Sequence, residues 1–577
     1  MSKITRRGLL GASSGLLGLT ACGRNAVDPP TDRITVSPDD RPGYPGMVSF
    51  DHGVASGDPL SDRVILWTHV TPDPAYPDTP IPVSYGVFTD EAMSQPVGYS
   101  QGFALASRDY TVKVDVDGLT PGTEYYYRFV AKTTSGGIIS QTGRTKTTHA
   151  SGETPVRLAV VSCANWPFGH FHVYREISKD NDLDAIIHLG DYFYEYGIDG
   201  YGADIGSTIE RYHEPPLEII TLSDYRARHA QYKSDPNLQA AHAAAPWLCT
   251  WDDHESANNS YRTGAQNHNP EANEGNWSDR KQAAIQAYLE WMPVRDPVAG
   301  KARENIYRRF DFGDVATIIC LDSRLTGRSE EISWYREVGG LDSAEIPDAI
   351  TSTLTKISDP TRTMLGALQE EWLDGELKAS TAKGKSWQVL ANQVMMARIK
   401  TPNFHDTLTP EQIAAQDNRY VKSMIDFSPY GLPSNLDGWD GFPAARDRLY
   451  ASVKAAEANL VVLTGDTHTA WANTLRDASD QQIGVEFGCS SVTSPGTGSY
   501  INQVDDLGEQ FAAANREVDW NDADGNGWTL VTLTKTEAKA DYYKVSDVKA
   551  VTYTSHHAAA FTTTRNGPNH TALSRTS

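Results

Sequence analysis

Thiol, carboxylate, phenol and imidazole side chains stand directly after short apolar, strand-like runs at four places in this chain. Residues 156–161 run into Ser162 and Cys163, and residues 185–189 into Gly190-Asp191-Tyr192-Phe193-Tyr194-Glu195. Residues 247–251 open onto Asp252-Asp253-His254-Glu255, and residues 460–463 onto Thr464-Gly465-Asp466-Thr467-His468. Buried strands ending in metal-ligand residue types let an α/β enzyme gather distant segments around one ion cluster, because such sheets bind ligands beyond the carboxyl ends of their strands. The pattern is that of a metallohydrolase.

Each cluster has its own chemistry. Asp191 and Tyr194 have the Asp-x-x-Tyr spacing that lets a carboxylate bridge two metals while a phenolate binds one of them. With the Cys163 thiolate, this donor set favours a trivalent or soft ion over magnesium and points to iron. Asp253 offers a further ligand, and His254 beside it can donate a hydrogen bond to a phosphate oxygen or protonate a leaving group. The acids Asp252, Asp253 and Glu255 at one strand mouth would repel one another without a cation. Asn258 and Asn259 follow as neutral oxygen ligands or phosphate donors. Asp466 and His468 occupy alternate positions, a spacing that serves two adjacent metals from one turn. Ser162 has no activating base that the sequence assigns, so a covalent serine route is not favoured. Residues 522–527 resemble the start of a calcium-binding EF-hand loop, but Leu533 stands where the bidentate glutamate belongs. A tight hairpin turn is the more economical reading.

The elements that must position these groups fall into two regions. From 46 to 150, short β segments at 64–67, 83–88, 110–116 and 125–130 are separated by Asp, Gly and Pro, which predicts a small antiparallel sandwich. Residues 119–127 look like a fibronectin type III signature, in which a turn leads into a strand carrying a corner tyrosine. From 151 to 545, buried strands alternate with amphipathic helices, the pattern of a layered α/β domain. Helices are predicted over 279–291, with Ser278 as N-cap and Pro293 just beyond, over 365–377 and over 442–458. Residues 546–577, rich in Thr, His and Ala with little periodicity, read as a loosely ordered tail.

Composition narrows the partners. The chain has 577 residues, 39% of them hydrophobic, with 13 Trp and 27 Tyr, ample for packed cores. Residues 1–22 read as an export signal. Thr5-Arg6-Arg7-Gly8-Leu9-Leu10 has the twin-arginine pattern, and the 14 uncharged residues from Gly8 to Ala21 are too few to span a bilayer. Leu19-Thr20-Ala21-Cys22 ends the segment as a lipoprotein signal does, with Cys22 the residue that would be acylated; an ordinary cleaved signal is the other reading. Residues 23–45, rich in Pro, Asp and Gly, read as a linker. The net charge of −23, about −26 once Lys3, Arg6 and Arg7 are removed, disfavours nucleic acid and anionic membrane surfaces. Phosphate esters remain open, since bound cations reverse the local potential. Five Cys do not make a disulfide scaffold, and Cys249, Cys320 and Cys489 sit in apolar contexts suited to buried thiols.

Taken together, the motifs Gly53-Val54-Ala55-Ser56-Gly57-Asp58-Pro59, Leu66-Trp67-Thr68, Gly190-Asp191-x-x-Tyr194-Glu195 and Trp251-Asp252-Asp253-His254-Glu255 resemble the PhoD-like alkaline phosphatases. So do Trp291-Met292-Pro293-Val294-Arg295, Leu321-Asp322-x-Arg324, Ala391-Asn392-Gln393 and Gly465-Asp466-x-His468-x-x-Trp471. These enzymes are a branch of the calcineurin-like metallophosphoesterases. The resemblance implies a four-layer α/β/β/α domain behind a small fibronectin III-like β-sandwich, and a centre of one ferric ion (Fe3+) with calcium (Ca2+). It implies that Cys163, Asp191, Tyr194 and His468 hold the iron and that Asp191 bridges to calcium, with Asp253, Asn258 and Asp466 as oxygen ligands. His254 would face the phosphate and Arg324 would clamp it. A second calcium has no assigned ligands; Asp252 and Glu255 are among the surplus acids.

The implied reaction is attack of a metal-activated water on phosphorus to release phosphate, in an enzyme exported by the twin-arginine machinery to the periplasm or anchored by lipid outside the membrane. Three readings stay open. One is a phosphomonoesterase. The second is a phosphodiesterase of phospholipase D type, acting on phospholipids among other esters. The third is an inactive, surface-anchored binding protein, which every placed ligand being present argues against.

Overall fold

The computed structural model describes residues 40–416, 418–566 and 569–577, so the twin-arginine segment, Cys22 and most of the linker lie outside the described residues. Two large mixed sheets carry the ligand-bearing segments. In the first, of eleven strands, Val156–Val161, Ala185–His188 and Trp247–Cys249 are parallel neighbours. In the second, of seven strands, Ala316–Cys320, Trp387–Ala391, Leu460–Thr464 and Gln482–Gly488 are parallel neighbours. These strands read as unbroken apolar runs because both of their faces are covered.

Alternate side chains of one strand enter different cores, as the two-residue period requires. Val160, Ile187 and Leu248 of the first sheet share a core with Ile318, Val389 and Leu463 of the second. On the other face of the first sheet, Val161, Ile186 and Trp247 meet Tyr225 of helix Leu222–Lys233, Leu238 of Pro236–Ala244 and Ile285 of Trp277–Trp291. Ile319, Leu390 and Val462 meet Leu377 of Ala367–Ala382 and Leu449 of Pro443–Ala455. The helix predicted from 279 starts two residues earlier. Asn276 is its N-cap, and Ser278 lies inside the first turn.

The amino-terminal β segments divide between two sheets. Ile81–Phe88, Pro96–Ala104, Glu124–Thr133, Gly136–Ile139 and Gly143–Lys146 form a sheet of their own. Val54–Gly57, Val64–His69 and Thr111–Val116 instead extend the eleven-stranded sheet, where Gly57 pairs with Trp247. A β-carbon on Gly57 would meet Pro293 O at 2.2 Å and Trp247 O at 2.8 Å, so glycine is required at this junction. The two sheets enclose a core of Val64, Leu66, Val114, Val83, Tyr127 and Phe129. Tyr125 Oη accepts the Thr120 N–H at 2.8 Å, tying the strand Glu124–Thr133 to the turn before it.

Two expectations are corrected. The tail is not loose: Ser555–Asn566 forms a strand paired with Glu537–Val545, and Ala559 and Phe561 turn into the core between the sheets. Nor is 522–527 a hairpin. Val518–Asp522 belongs to the seven-stranded sheet and Asn526–Leu533 to the eleven-stranded one, so this turn carries the chain from one sheet to the other.

At the junction of the two regions, Lys233 is buried with no carboxylate in ion-pair range among the described residues. Its Nζ lies 3.2 Å from His242 Nε2 and 4.4 Å from the Trp67 ring centre. Burial lowers its pKa to about 7. Between that value and the unfolded one near 10.4, the unfolded state binds more protons, so this residue makes stability rise with pH across that window. Lys233→Met is therefore expected to raise the urea midpoint at pH 7 and to lose that advantage as the pH nears 10. An equal gain at both pH values would show that the lysine carries no such penalty.

Candidate active site

The carboxyl ends of both sheets' parallel strands meet at one place. Ser162 bridges to Ser491 beyond the ends of their strands, Gly465 N donates to Gln393 O at 2.9 Å, and Gln393 Nε2 donates to Thr250 Oγ1 at 2.6 Å. Directly after the strands, Cys163, Asp191, Asp466 and His468 all have left-handed backbone, with φ of 60°, 54°, 62° and 61°. Non-glycine residues pay for that conformation, and such strain gathers where side chains must be aimed at a ligand.

The side chains converge accordingly. Cys163, Asp191 and His468 place ligand atoms within 4.8 Å of one another, as do Asp191, Asp253 and His254. Tyr194 Oη is 3.1 Å from Asp191 Oδ2 and 3.2 Å from His468 Nε2. Asp191 belongs to both groups, which is where a bridging carboxylate would stand. Asp191 Oδ1 and Asp253 Oδ1 are buried without a hydrogen-bond partner, an expensive state unless something else binds them. Burial and then neighbouring acids push Asp191 well above the usual carboxylate range. Burial and Asp191 push the Cys163 thiol and the Tyr194 phenol far up as well. The donor set needs a cation to reach its anionic form. Thiolate, phenolate, imidazole and carboxylate together fit one, so the residues present fit a metal centre.

Buried ion pairs and hydrogen bonds hold the acids in place. Arg324, fully buried, reaches Asp252 at 2.5 Å, Asp437 at 2.7 Å, Asp466 at 3.4 Å and Asp253 at 3.8 Å. Burial alone would raise Asp253, but Arg324 and His254 outweigh it and hold the carboxyl well below its usual range. His254 Nδ1 lies 2.6 Å from Glu195 Oε2, and its ring centre lies 4.0 Å from that of Tyr194, with the planes tilted by 33°. Burial opposes the imidazolium, yet Asp253, Glu195 and Asp191 keep its pKa well above the ordinary value, so His254 carries a proton.

A family profile described as "PhoD-like phosphatase" matches residues 158–542, and "PhoD-like phosphatase, N-terminal domain" matches residues 37–149. The chain belongs to the PhoD-like phosphatase family. Alkaline phosphatase D of Bacillus subtilis (strain 168) is 37% identical over 507 residues, spanning 85% of this chain and 77% of that protein. A solved structure, "Structure of PhoD", matches with a TM-score of 0.72 at 32% identity, covering 93% of this chain and 92% of that one. This PhoD-like phosphatase is therefore a phosphoric ester hydrolase with the mixed α/β fold of PhoD.

Within the PhoD-like phosphatase, Cys163, Asp191, Tyr194, His468, Asp253 and His254 come together. Asp466 sits beside them, tied to Arg324. Asn258 takes another course: its backbone N–H donates to Glu195 Oε1 at 2.7 Å and its side-chain amide to Gln266 Oε1 at 2.7 Å. Arg324 is bound to carboxylates rather than held open for phosphate. Glu255, one of the surplus acids, accepts the backbone N–H groups of Asp191, Tyr192 and Asp252 at 3.1, 2.7 and 2.8 Å, so it fixes both ligand turns.

Sequence reasoning missed three contributors. Glu195 orients His254, and its place directly after Tyr194 was the available signal. Asn165 is fully buried two residues after Cys163 with neither side-chain polar atom partnered. The segment from 494 to 500 closes the site: Ser494 Oγ donates to Tyr194 Oη at 2.8 Å, and Pro495 O lies 3.2 Å from His468 Nδ1.

Gly190 permits the close approach of the two ligand turns. It has φ 106°, and a β-carbon there would lie 2.3 Å from Asp252 N. Gly190→Ala is expected to cost about 2–4 kcal/mol in urea denaturation and to weaken metal retention. Wild-type stability in that variant would contradict the packing described.

Proposed function

We propose that this PhoD-like phosphatase is an exported alkaline phosphatase that hydrolyses phosphate monoesters at a centre of one ferric ion with calcium. The observation that carries the proposal is Asp191, common to two buried ligand groups, one rich in soft and phenolic donors and one in hard oxygen donors. Cys163, Asp191, Tyr194 and His468 would hold iron; Asp191, Asp253 and Asp466 would hold calcium. Bound cations would supply Lewis acidity toward water and toward the phosphoryl oxygens. His254 provides a proton near the leaving oxygen, and Glu195 holds its imidazole in the orientation that offers Nε2. Arg324 and Glu255 keep the acids in register.

The finer architecture belongs to the same proposal. A core shared by both sheets, with helices packed on their far faces, supports the four-layer α/β/β/α order. The Tyr125 corner contact supports a fibronectin III-like amino-terminal sandwich. Export by the twin-arginine route, with acylation at Cys22, rests on the sequence pattern of residues 1–22. Among the described residues, no helix is long and apolar enough to cross a membrane.

Elemental analysis with a visible absorption spectrum tests the centre. Iron with calcium is expected, with a phenolate-to-iron band that disappears in Tyr194→Phe; zinc alone would overturn the assignment. Asp191→Asn and Tyr194→Phe should each remove most activity with the fold retained by circular dichroism, whereas near-normal turnover in both would refute the site. Glu195→Gln should lower kcat by about 10²-fold with little change in KM; an unchanged kcat would remove Glu195 from the proton-handling role. Turnover of an aryl phosphate against its bis-ester ranks the substrates, and a faster diester would reverse the monoester assignment.

A further inference from the structure

Aromatic rings stand beside His254, from the fully buried Tyr194 to half-buried tyrosines farther along the same segment. Tyr194 is fully buried, and its ring centre lies 4.0 Å from that of His254. Tyr196, half-buried, lies 5.5 Å from His254. Tyr201, also half-buried, lies 6.2 Å from Tyr194 and 6.0 Å from Tyr196, in tilted and edge-on contact with them. Its ring also meets that of the buried Phe168 edge-on at 4.7 Å. The Tyr201 hydroxyl is 3.0 Å from that of Tyr500, a half-buried residue on the same segment whose Ser494 and Pro495 touch Tyr194 and His468.

Two chain segments, 194–201 and 494–500, thus each contact the ligand cluster at one end and present a tyrosine to the other segment at the far end. Cation neutralisation and proton donation do not require these outer rings. Tyr196, Tyr201 and Tyr500 each keep part of their surface exposed beside the site, where the alcohol half of an ester would lie once its bridging oxygen stands beside the imidazole. Half-buried aromatic faces bind flat apolar groups by area burial and stacking, and the overall charge of −23 disfavours an anionic extension.

We infer that Tyr201 and Tyr500, with Tyr196 beside Tyr201, form a specificity subsite that stacks against a flat, aromatic alcohol moiety of the phosphate ester. The inference rests on the phosphatase reading above and names its substrate class. Tyr201 and Tyr500 are binding residues in this scheme, with no part in the chemical step.

Calorimetric titration of the metal-loaded, full-length mature protein tests it without turnover, using phenylphosphonate, methylphosphonate and inorganic phosphate as probes. Phenylphosphonate is expected to bind about five-fold more tightly than methylphosphonate, the size of one aromatic stack. In Tyr201→Leu and Tyr500→Leu that ratio should fall toward one, whereas Tyr201→Phe, which keeps the ring and loses only the hydroxyl contact, should retain it. Leucine preserves apolar surface, so loss of the ratio reports stacking and not greasiness. A ratio of one in the wild type, or an unchanged ratio in both leucine variants, overturns the subsite while leaving the phosphatase reading intact. Failure of inorganic phosphate to bind, with no phosphate released from any ester, overturns the reading beneath it.

Discussion

The buried guanidinium of Arg324 is the interaction on which the rest of the centre depends. It follows a strand of the seven-stranded sheet, and it binds Asp252 and Asp253 from the eleven-stranded sheet together with Asp437 and Asp466. Four carboxylates in a water-poor wedge would otherwise repel one another or take up protons. Arg324 therefore does two things with one charge: it lets acids from both sheets remain close, and it closes the carboxyl ends of the sheets against each other. Replacing the arginine would leave buried acids uncompensated, which costs far more than the pairs contribute. Its planar fork suits the task, since several carboxylates can be met at fixed angles by one side chain.

Around that fixed point, the ligand turns are strained in a common way. Four candidate ligands occupy left-handed backbone immediately after a strand, and the conformation persists because neighbouring contacts over-determine it. Glu255 holds the amides of Asp191, Tyr192 and Asp252, while Gly190 lets those turns approach within a distance no β-carbon allows. The strain turns side chains that would otherwise follow the strand's alternation toward one shared point. Geometry, more than residue type, distinguishes these acids from the many others in an acidic chain.

Much of this was legible because the relevant information is local. An apolar run that stops at Asp, His or Cys marks both a buried strand and the residue at its end, so Cys163, Asp191, Tyr194, Asp253, His254 and His468 could be read in advance. What spacing does not show needed non-local knowledge. Asn258 is close in sequence to Asp253, but its Nδ2 is taken by Gln266 and only Oδ1 is left for a cation, which spacing does not reveal. Arg324 was legible as a charge near the phosphate chemistry, not as one already claimed by four acids. The turn at 522–527 declares itself through Asp, Gly and Asn, yet turn chemistry does not say whether the next strand pairs with the last one or crosses to another sheet. The strand Ser555–Asn566 was missed because Thr and Ala give little apolar period, and its place depends on the exposed edge offered by Glu537–Val545.

The same charge distribution links architecture to function. As a whole the chain repels anions, and without cations the convergent carboxylates would repel a phosphate still more strongly. His254 brings a single positive charge, already balanced by Glu195 and Asp253. Phosphate binding at this point thus becomes conditional on metal loading, because only multivalent cations can reverse the local potential. Arg324, however, supplies part of the charge compensation from within the chain. A scaffold held together by its own buried cation and completed by external ones can assemble its pocket first and acquire its affinity for phosphate second. That order would suit the twin-arginine route proposed above, which carries folded proteins.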